Sequence, residues 1–317
     1  MKANMQIALL AALCLGLALV PLSGSTYLVY LATQILIFIL FATSLNLLVG
    51  YGGLISFGHA AFFAIGGYSN AILLTTYGVP VLLALPGAMV VTAILSAIIG
   101  FFCVRLTAYY FSMLTLAFGQ LVWAVAFKWR AVTGGDDGFL RVAVPEWLAT
   151  PSSFYLFSLL VVALAVAVLW VVAHSPLGRT MMAIRENETR AGFLGVNTRL
   201  VQLITFTIAG TFAGLAGGLF SMFNRSLFPN SAWWLQSAEV LIMVVLGGIG
   251  SFFGPMVGAL ALILLNRLTL QLTEYWPALL AIILIVTLFF FPNGIAGLFG
   301  SRPAPGLRDE RGEKSDA

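Results

Sequence analysis

Charge is what this 317-residue chain has least of: Asp, Glu, Lys and Arg together make up 8% of it. A soluble domain carries about a quarter, so that deficit excludes a water-soluble enzyme or scaffold. Cysteine is almost missing too. Cys14 and Cys103 both lie inside apolar runs and read as small buried hydrophobes, which leaves no disulfide framework and no metal pair. The two histidines, His59 and His174, are far apart and form no ligand pattern. No Gly-x-x-x-x-Gly-Lys-Ser/Thr string and no HExxH occur, so the chain has no phosphate-binding loop or zinc-protease helix of its own. The membrane acids reduce to Glu239, near the start of one apolar run, and Glu274, in a turn, which argues against a proton relay.

What fills the chain is apolar: 61% hydrophobic residues, mean hydropathy +1.05 and 32 glycines. Glycine allows membrane helices to approach closely. The reading is an all-α, polytopic membrane protein, because lipid leaves an open backbone unsatisfied. About ten transmembrane or re-entrant helices are expected, at 5–22, 27–49, 54–75, 79–104, 109–127, 153–173, 200–222, 237–250, 254–272 and 275–291. The first resembles a signal peptide, but its apolar run is long and further spans follow at once, so it reads as a retained span. The segments 54–75 and 237–272 are rich in Gly and Ser and read as broken or re-entrant.

Ten spans place both termini on one side. With the N-terminus inside, ten Lys and Arg fall on inside segments and five on outside ones, which puts both termini in the cytoplasm. The net charge of +4 is therefore orientation charge rather than a nucleic-acid footprint. Residues 1–300 form the membrane domain, and 301–317 reads as a disordered cytoplasmic tail. Ten spans also divide into five and five, the arrangement of an inverted repeat. A faint echo supports it: Gly52-Gly53-Leu-Ile-Ser56-Phe57-Gly58 against Gly247-Gly248-Ile-Gly250-Ser251-Phe252-Phe253-Gly254.

Two stretches carry the chemistry. A polar island at 174–199 holds four arginines and two glutamates between apolar runs, on the cytoplasmic side. Ser175-Pro176 is a helix start, Thr180 to Leu194 reads as one helix with Glu186 and Arg190 as an i,i+4 pair, and Gly195-Val196-Asn197 ends it. Met181, Met182, Ile184, Phe193 and Leu194 add apolar contact, so the island reads as a docking element rather than a slack loop. The other stretch, Thr43 to Tyr68, is the most polar intramembrane run. Its small and hydroxyl residues suit an unwound backbone lining a substrate pathway. His59 alone, with no partner at ligand spacing, reads as an internally bonded core residue.

Four strings together resemble the permeases of branched-chain amino acid ABC importers, in particular the LivM-type subunit. They are Ser44 to Tyr68, Thr133-Gly-Gly-Asp-Asp-Gly138, Ser175 to Arg179 with Ala183 to Asn197, and Gly247 to Ala259. The resemblance implies a bacterial inner-membrane subunit that pairs with a LivH-type sister permease. Two LivG/LivF-type ATPases would power it, with ATP and Mg bound on those partners and no cofactor on this chain. A periplasmic amino-acid-binding protein would deliver leucine, isoleucine or valine. The island becomes an ATPase-coupling loop with Arg179, Arg185, Glu186, Asn187, Arg190 and Gly195, whose 185–195 stretch enters an ATPase cleft. The pathway set is Asn46, Gly52, Gly53, Ser56, Gly58, His59, Gly247, Gly248, Ser251 and Gly254. A urea- or amide-type permease of the same family and an ion-coupled secondary transporter remain as alternatives.

Overall fold

The computed structural model describes residue 21, residues 24–106, 108–272 and 294–295. The expected spans 5–22 and 275–291, Cys14, Glu274 and the tail 301–317 lie outside the described residues. Within them the chain is helical: α1 (Thr26–Asn46), α2 (His59–Thr75), α3 (Val81–Cys103), α4 (Ala108–Lys128), α5 (Pro151–His174), α6 (Pro176–Glu186), α7 (Glu188–Phe193), α8 (Thr198–Asn224), α9 (Trp234–Gly247) and α10 (Gly254–Leu272). A π-helical turn, Leu47–Tyr51, continues α1. Among the described residues, five helices are long and apolar enough to cross a membrane: Thr26–Tyr51, Val81–Cys103, Tyr109–Lys128, Pro151–His174 and Thr198–Asn224. The two apolar helices at Trp234–Gly247 and Gly254–Thr269 are shorter. The chain is thus an all-α, multi-pass membrane protein.

The segment expected over 54–75 is shorter than its hydropathy suggests. Residues 52–58 leave the helix, Gly53 takes φ +67°, and α2 starts only at His59 and runs 17 residues. α2 is nonetheless the centre of the bundle, with His59, Phe62, Phe63 and Asn70 all buried. Its neighbour α8 meets it backbone to backbone. A Cβ on Gly66 would strike the carbonyl of Gly214, and one on Gly217 would strike that of Phe63. Such small-residue seams are how membrane helices pack without a hydrophobic drive between them. The outer faces of α3 and α5, by contrast, expose Leu82, Ile94, Leu160, Leu164 and Val171.

Helix starts follow local chemistry. Thr150 caps α5 by accepting from Ser153 N at 3.3 Å, with Pro151 at the first helical position. Beside this start a two-residue ladder pairs Phe139 with Leu227 and Leu140 with Ser226. The glycine turns at Gly134, Gly135 and Gly138, all with positive φ, feed it. Cys103 is a free, buried thiol, as expected of a small hydrophobe.

Candidate functional site

Two helix breaks meet in the core. At the first, α1 runs into the π turn, where Gly52 N bonds Leu47 O at 3.2 Å and Leu54 N bonds Leu48 O at 3.0 Å. Single π turns of this kind mark functional segments more often than ordinary helix does. The chain then stays irregular to Gly58, whose Cα side lies flat against the backbone of Thr115 on α4. Ser112 Oγ secures the stretch by donating to Ile55 O at 2.7 Å. At the second break, Gly248 takes φ +109° and turns α9 into α10. Ser251 Oγ accepts from Gly254 N at 2.9 Å, and a Cβ on Gly247 would strike the carbonyl of Gly254.

The breaks touch each other. Asn46 Nδ2 donates to Ser251 O at 3.2 Å, and Gly50 leaves no room for a Cβ against Asn46 Oδ1 and the Ile249 carbonyl. The echoing glycine strings are therefore neighbours in space. They are not equivalent in topology: the first precedes α2, whereas the second follows α9. What they share is the breaking of a helix, and the match between them adds no weight to a five-plus-five repeat.

His59, at the start of α2, is fully buried and stacks on Phe41 at 5.5 Å. Its Nε2 lies 3.0 Å from Ser44 Oγ, and that hydroxyl donates its own proton to Phe41 O at 2.7 Å. Nε2 is then the donor and Nδ1 a bare buried acceptor. The internally bonded histidine expected from sequence is what the core contains. The other pathway candidates divide the same way. Asn46, Ser56, Gly52, Gly58, Gly247, Gly248 and Gly254 are buried, while Gly53 and Ser251 are half-buried. They form a closed seam, and Asn46 Oδ1, Ser56 Oγ and His59 Nδ1 stand in it without a hydrogen-bond partner among the described residues. Buried polar atoms of this kind are costly.

Sequence reasoning missed a second set. Tyr68 Oη, Gln120 Nε2 and Trp123 Nε1 are also buried without partners among the described residues. Tyr68 and Trp123 pack in one cluster with Ala126, Leu227 and Ala232, and Trp123 meets Trp233 at 4.5 Å. The signal was available: Gln120 and Trp123 are hydrogen-bonding side chains three apart in the apolar second half of α4. Ser237 was missed as well, and its Oγ accepts from Ala60 N at 2.9 Å at the uncapped start of α2.

The charged island is two helices, not the single one expected over Thr180–Leu194. Asn187 drops to an extended backbone, φ −160° and ψ 102°, which ends α6. Its side chain then caps α7 by accepting from Arg190 N at 2.8 Å. The break removes the continuous helix on which the Glu186–Arg190 pair depended, and among the described residues no ion pair joins them. Ser175 caps α6 and Asn197 caps α8, the latter accepting from Leu200 N at 3.1 Å. α6 buries Met181 and Ile184 toward Gly52, Leu54, Val201, Gln202 and Thr205. Arg179, Glu186, Asn187, Arg190 and Gly195 are exposed, and Gly195 takes φ +85°. At the tip, Phe193 is 88% and Leu194 80% exposed. Arg185 differs from its neighbours: it is half-buried and its guanidinium Nη1 donates to the carbonyl of Gly50.

This arrangement has no catalytic constellation. Among the described residues, no cluster of three or more His, Cys, Asp or Glu is placed to hold a metal. It has two helix breaks that meet in the core and a capped loop whose tip exposes Phe193 and Leu194. Comparison with known proteins agrees. The family model of the branched-chain amino acid transport system permease component matches residues 27–290. The chain is 32% identical over 302 residues to the high-affinity branched-chain amino acid transport system permease protein LivM of Escherichia coli (strain K12), covering 87% of this chain and 71% of that protein. It is 26% identical over 282 residues to LivH, a permease of the same system in Salmonella typhimurium, covering 81% of this chain and 90% of LivH. The autoinducer 2 import permease LsrC of Photorhabdus laumondii is 30% identical over 172 residues, covering 52% of this chain and 50% of LsrC. No solved structure matches. A membrane chain with these breaks and this loop, matched along nearly all of its helical core, belongs to the permease-component family of the branched-chain amino acid transport systems, and it is a permease subunit of an ABC importer.

Proposed function

We propose that the chain is the LivM-type subunit of an importer for leucine, isoleucine and valine in a bacterial inner membrane, with both termini cytoplasmic. The carrying observation is the 32% identity to LivM over 87% of the chain. In this reading a LivH-type sister completes the pathway and two LivG/LivF-type subunits bind ATP and Mg. A periplasmic protein supplies the amino acid. The 174–199 loop docks on an ATPase. The exposure of Phe193 and Leu194 supports docking, since large apolar side chains at a capped helix end have nothing of this chain to cover them among the described residues.

Transport proceeds by displacement of the loop, which shifts the two breaks and opens the seam lined by Asn46, Ser56 and His59. Carrying a zwitterion through an apolar bundle needs neutral hydrogen-bonding groups rather than fixed charge, and the unpartnered atoms at Asn46, Ser56, His59, Tyr68, Gln120 and Trp123 supply them. The test is reconstitution in proteoliposomes with the sister permease, both ATPases and the binding protein. ATP-dependent uptake of leucine is the expected result. Uptake of urea but not leucine would assign the amide-type reading, and uptake by this chain alone on an ion gradient would overturn the importer.

A further inference from the structure

Arg185 sits in the docking loop but faces the membrane domain. Its Nη1 donates to Gly50 O, and its stem lies across Gly53, where an added Cβ would come within 2.7 Å of Arg185 Cγ. The acceptor is no ordinary carbonyl. It belongs to the π turn that ends α1, and the chain leaves the helix two residues later, so no following helical N–H reaches it. A guanidinium at that end also meets the negative pole of a helix of 21 residues. From Gly50 the contact continues without a gap. Gly50 abuts Asn46 and the Ile249 carbonyl, and Asn46 bonds Ser251 O at 3.2 Å. One arginine of a cytoplasmic loop thus holds the end of α1, and the end of α1 holds the second break.

We propose that Arg185 is a positioning residue that couples this loop to both helix breaks, and that it does so within the chain rather than by touching an ATPase. The proposal rests on the importer reading. Its consequence is specific: removing Arg185 separates ATP use from transport but leaves the ATPases attached. The neighbouring exposed residues, Phe193 and Leu194, carry the opposite signature, because their loss detaches the ATPases.

The complete importer, in proteoliposomes with its binding protein, allows leucine uptake and ATP hydrolysis to be read side by side. Arg185→Ala is expected to lower uptake per ATP by roughly fivefold or more, the lower range of coupling between two sites. ATPase subunits should co-purify as in the wild type. Gly53→Ala changes no charge yet displaces the Arg185 stem, and it should give the same uncoupling; this variant keeps the test alive if Arg185→Ala folds poorly. Arg185→Lys keeps a donor and should recover part of the ratio. Loss of ATPase subunits from the Arg185→Ala complex would overturn the proposal in favour of a docking contact. An unchanged ratio in both Arg185→Ala and Gly53→Ala would reduce the residue to a structural strut and also overturn it. A wild-type complex without leucine uptake would instead sink the importer reading, and this proposal with it.

Discussion

The two helix breaks are built from nearly the same residues and are held in different ways. The first, at 52–58, is fastened from three sides: Ser112 on α4 bonds Ile55 O, Thr115 backs Gly58, and Arg185 grips Gly50 and Gly53 from the 174–199 loop. The second, at 248–253, is a hairpin apex fastened by its own glycines and Ser251, by Gly294 packed on Gly248 and by Phe252 against His174, with Asn46 its link to the first. Glycine and serine permit a helix to break, but the partners decide who can move it. The loop grips one break through the Arg185 guanidinium, and it meets the other only through a ring contact, His174 against Phe252 at 6.4 Å.

The sharpest way to disturb this contrast is to fill the glycine contacts. Gly58→Val and Gly247→Val each drive a side chain into a backbone carbonyl that cannot retreat. Each is expected to cost about 1–3 kcal/mol or more, seen as earlier loss of monodisperse protein on heating in detergent. If Gly247→Val were tolerated and Gly58→Val not, the second break would be the slacker of the two. Cutting the link should come next in size. Asn46→Ala leaves Ser251 O without its donor and should cost roughly 1–2 kcal/mol, with faster hydrogen exchange at both breaks. Asn187→Ala removes the cap of α7 for about 1 kcal/mol. Its exchange signature should be larger at Leu47–Gly53 than at 248–253, because Arg185, two residues before Asn187, bonds the first break, whereas the loop meets the second only at His174. Phe193→Ala and Leu194→Ala should change the stability of the isolated chain by no more than about 0.5 kcal/mol. Their effect should instead be a reduced yield of ATPase subunits on affinity purification.

The sequence resolved the helices better than their interruptions. Five long helices and the pair α9 and α10 lie within a few residues of the apolar runs that announced them, because lipid selects for length and hydropathy. The glycines and hydroxyls of 43–68 announced an unwound stretch, but hydropathy does not register backbone dihedrals, so the π turn and the start of α2 at His59 could not be placed. In the loop, Asn187 is a strong helix cap by chemistry, but the favourable spacing of Glu186 and Arg190 suggested continuity instead. The small-residue character of the site was legible in Gly52, Ser56 and Gly247. Its connections were not: Asn46 and Ser251 are 205 residues apart, and nothing local pairs them. Nor does composition distinguish an inward-facing arginine from the three beside it that face water.

The glycine seam between α8 and α2 has a mechanical meaning. α8 starts at the Asn197 cap, at the end of the 174–199 loop, and its 27 residues carry it to Asn224, a rod of about 40 Å. Where two helices meet through side chains, rotamer changes absorb a push and the helices shear past each other. Here Gly66 meets the Gly214 backbone and Gly217 meets that of Phe63, with nothing compressible between them. A push on the inner end of α8 therefore cannot be lost as slip. Pushed at its Asn197 end, α8 is expected to take α2, with His59 and Tyr68, along with it.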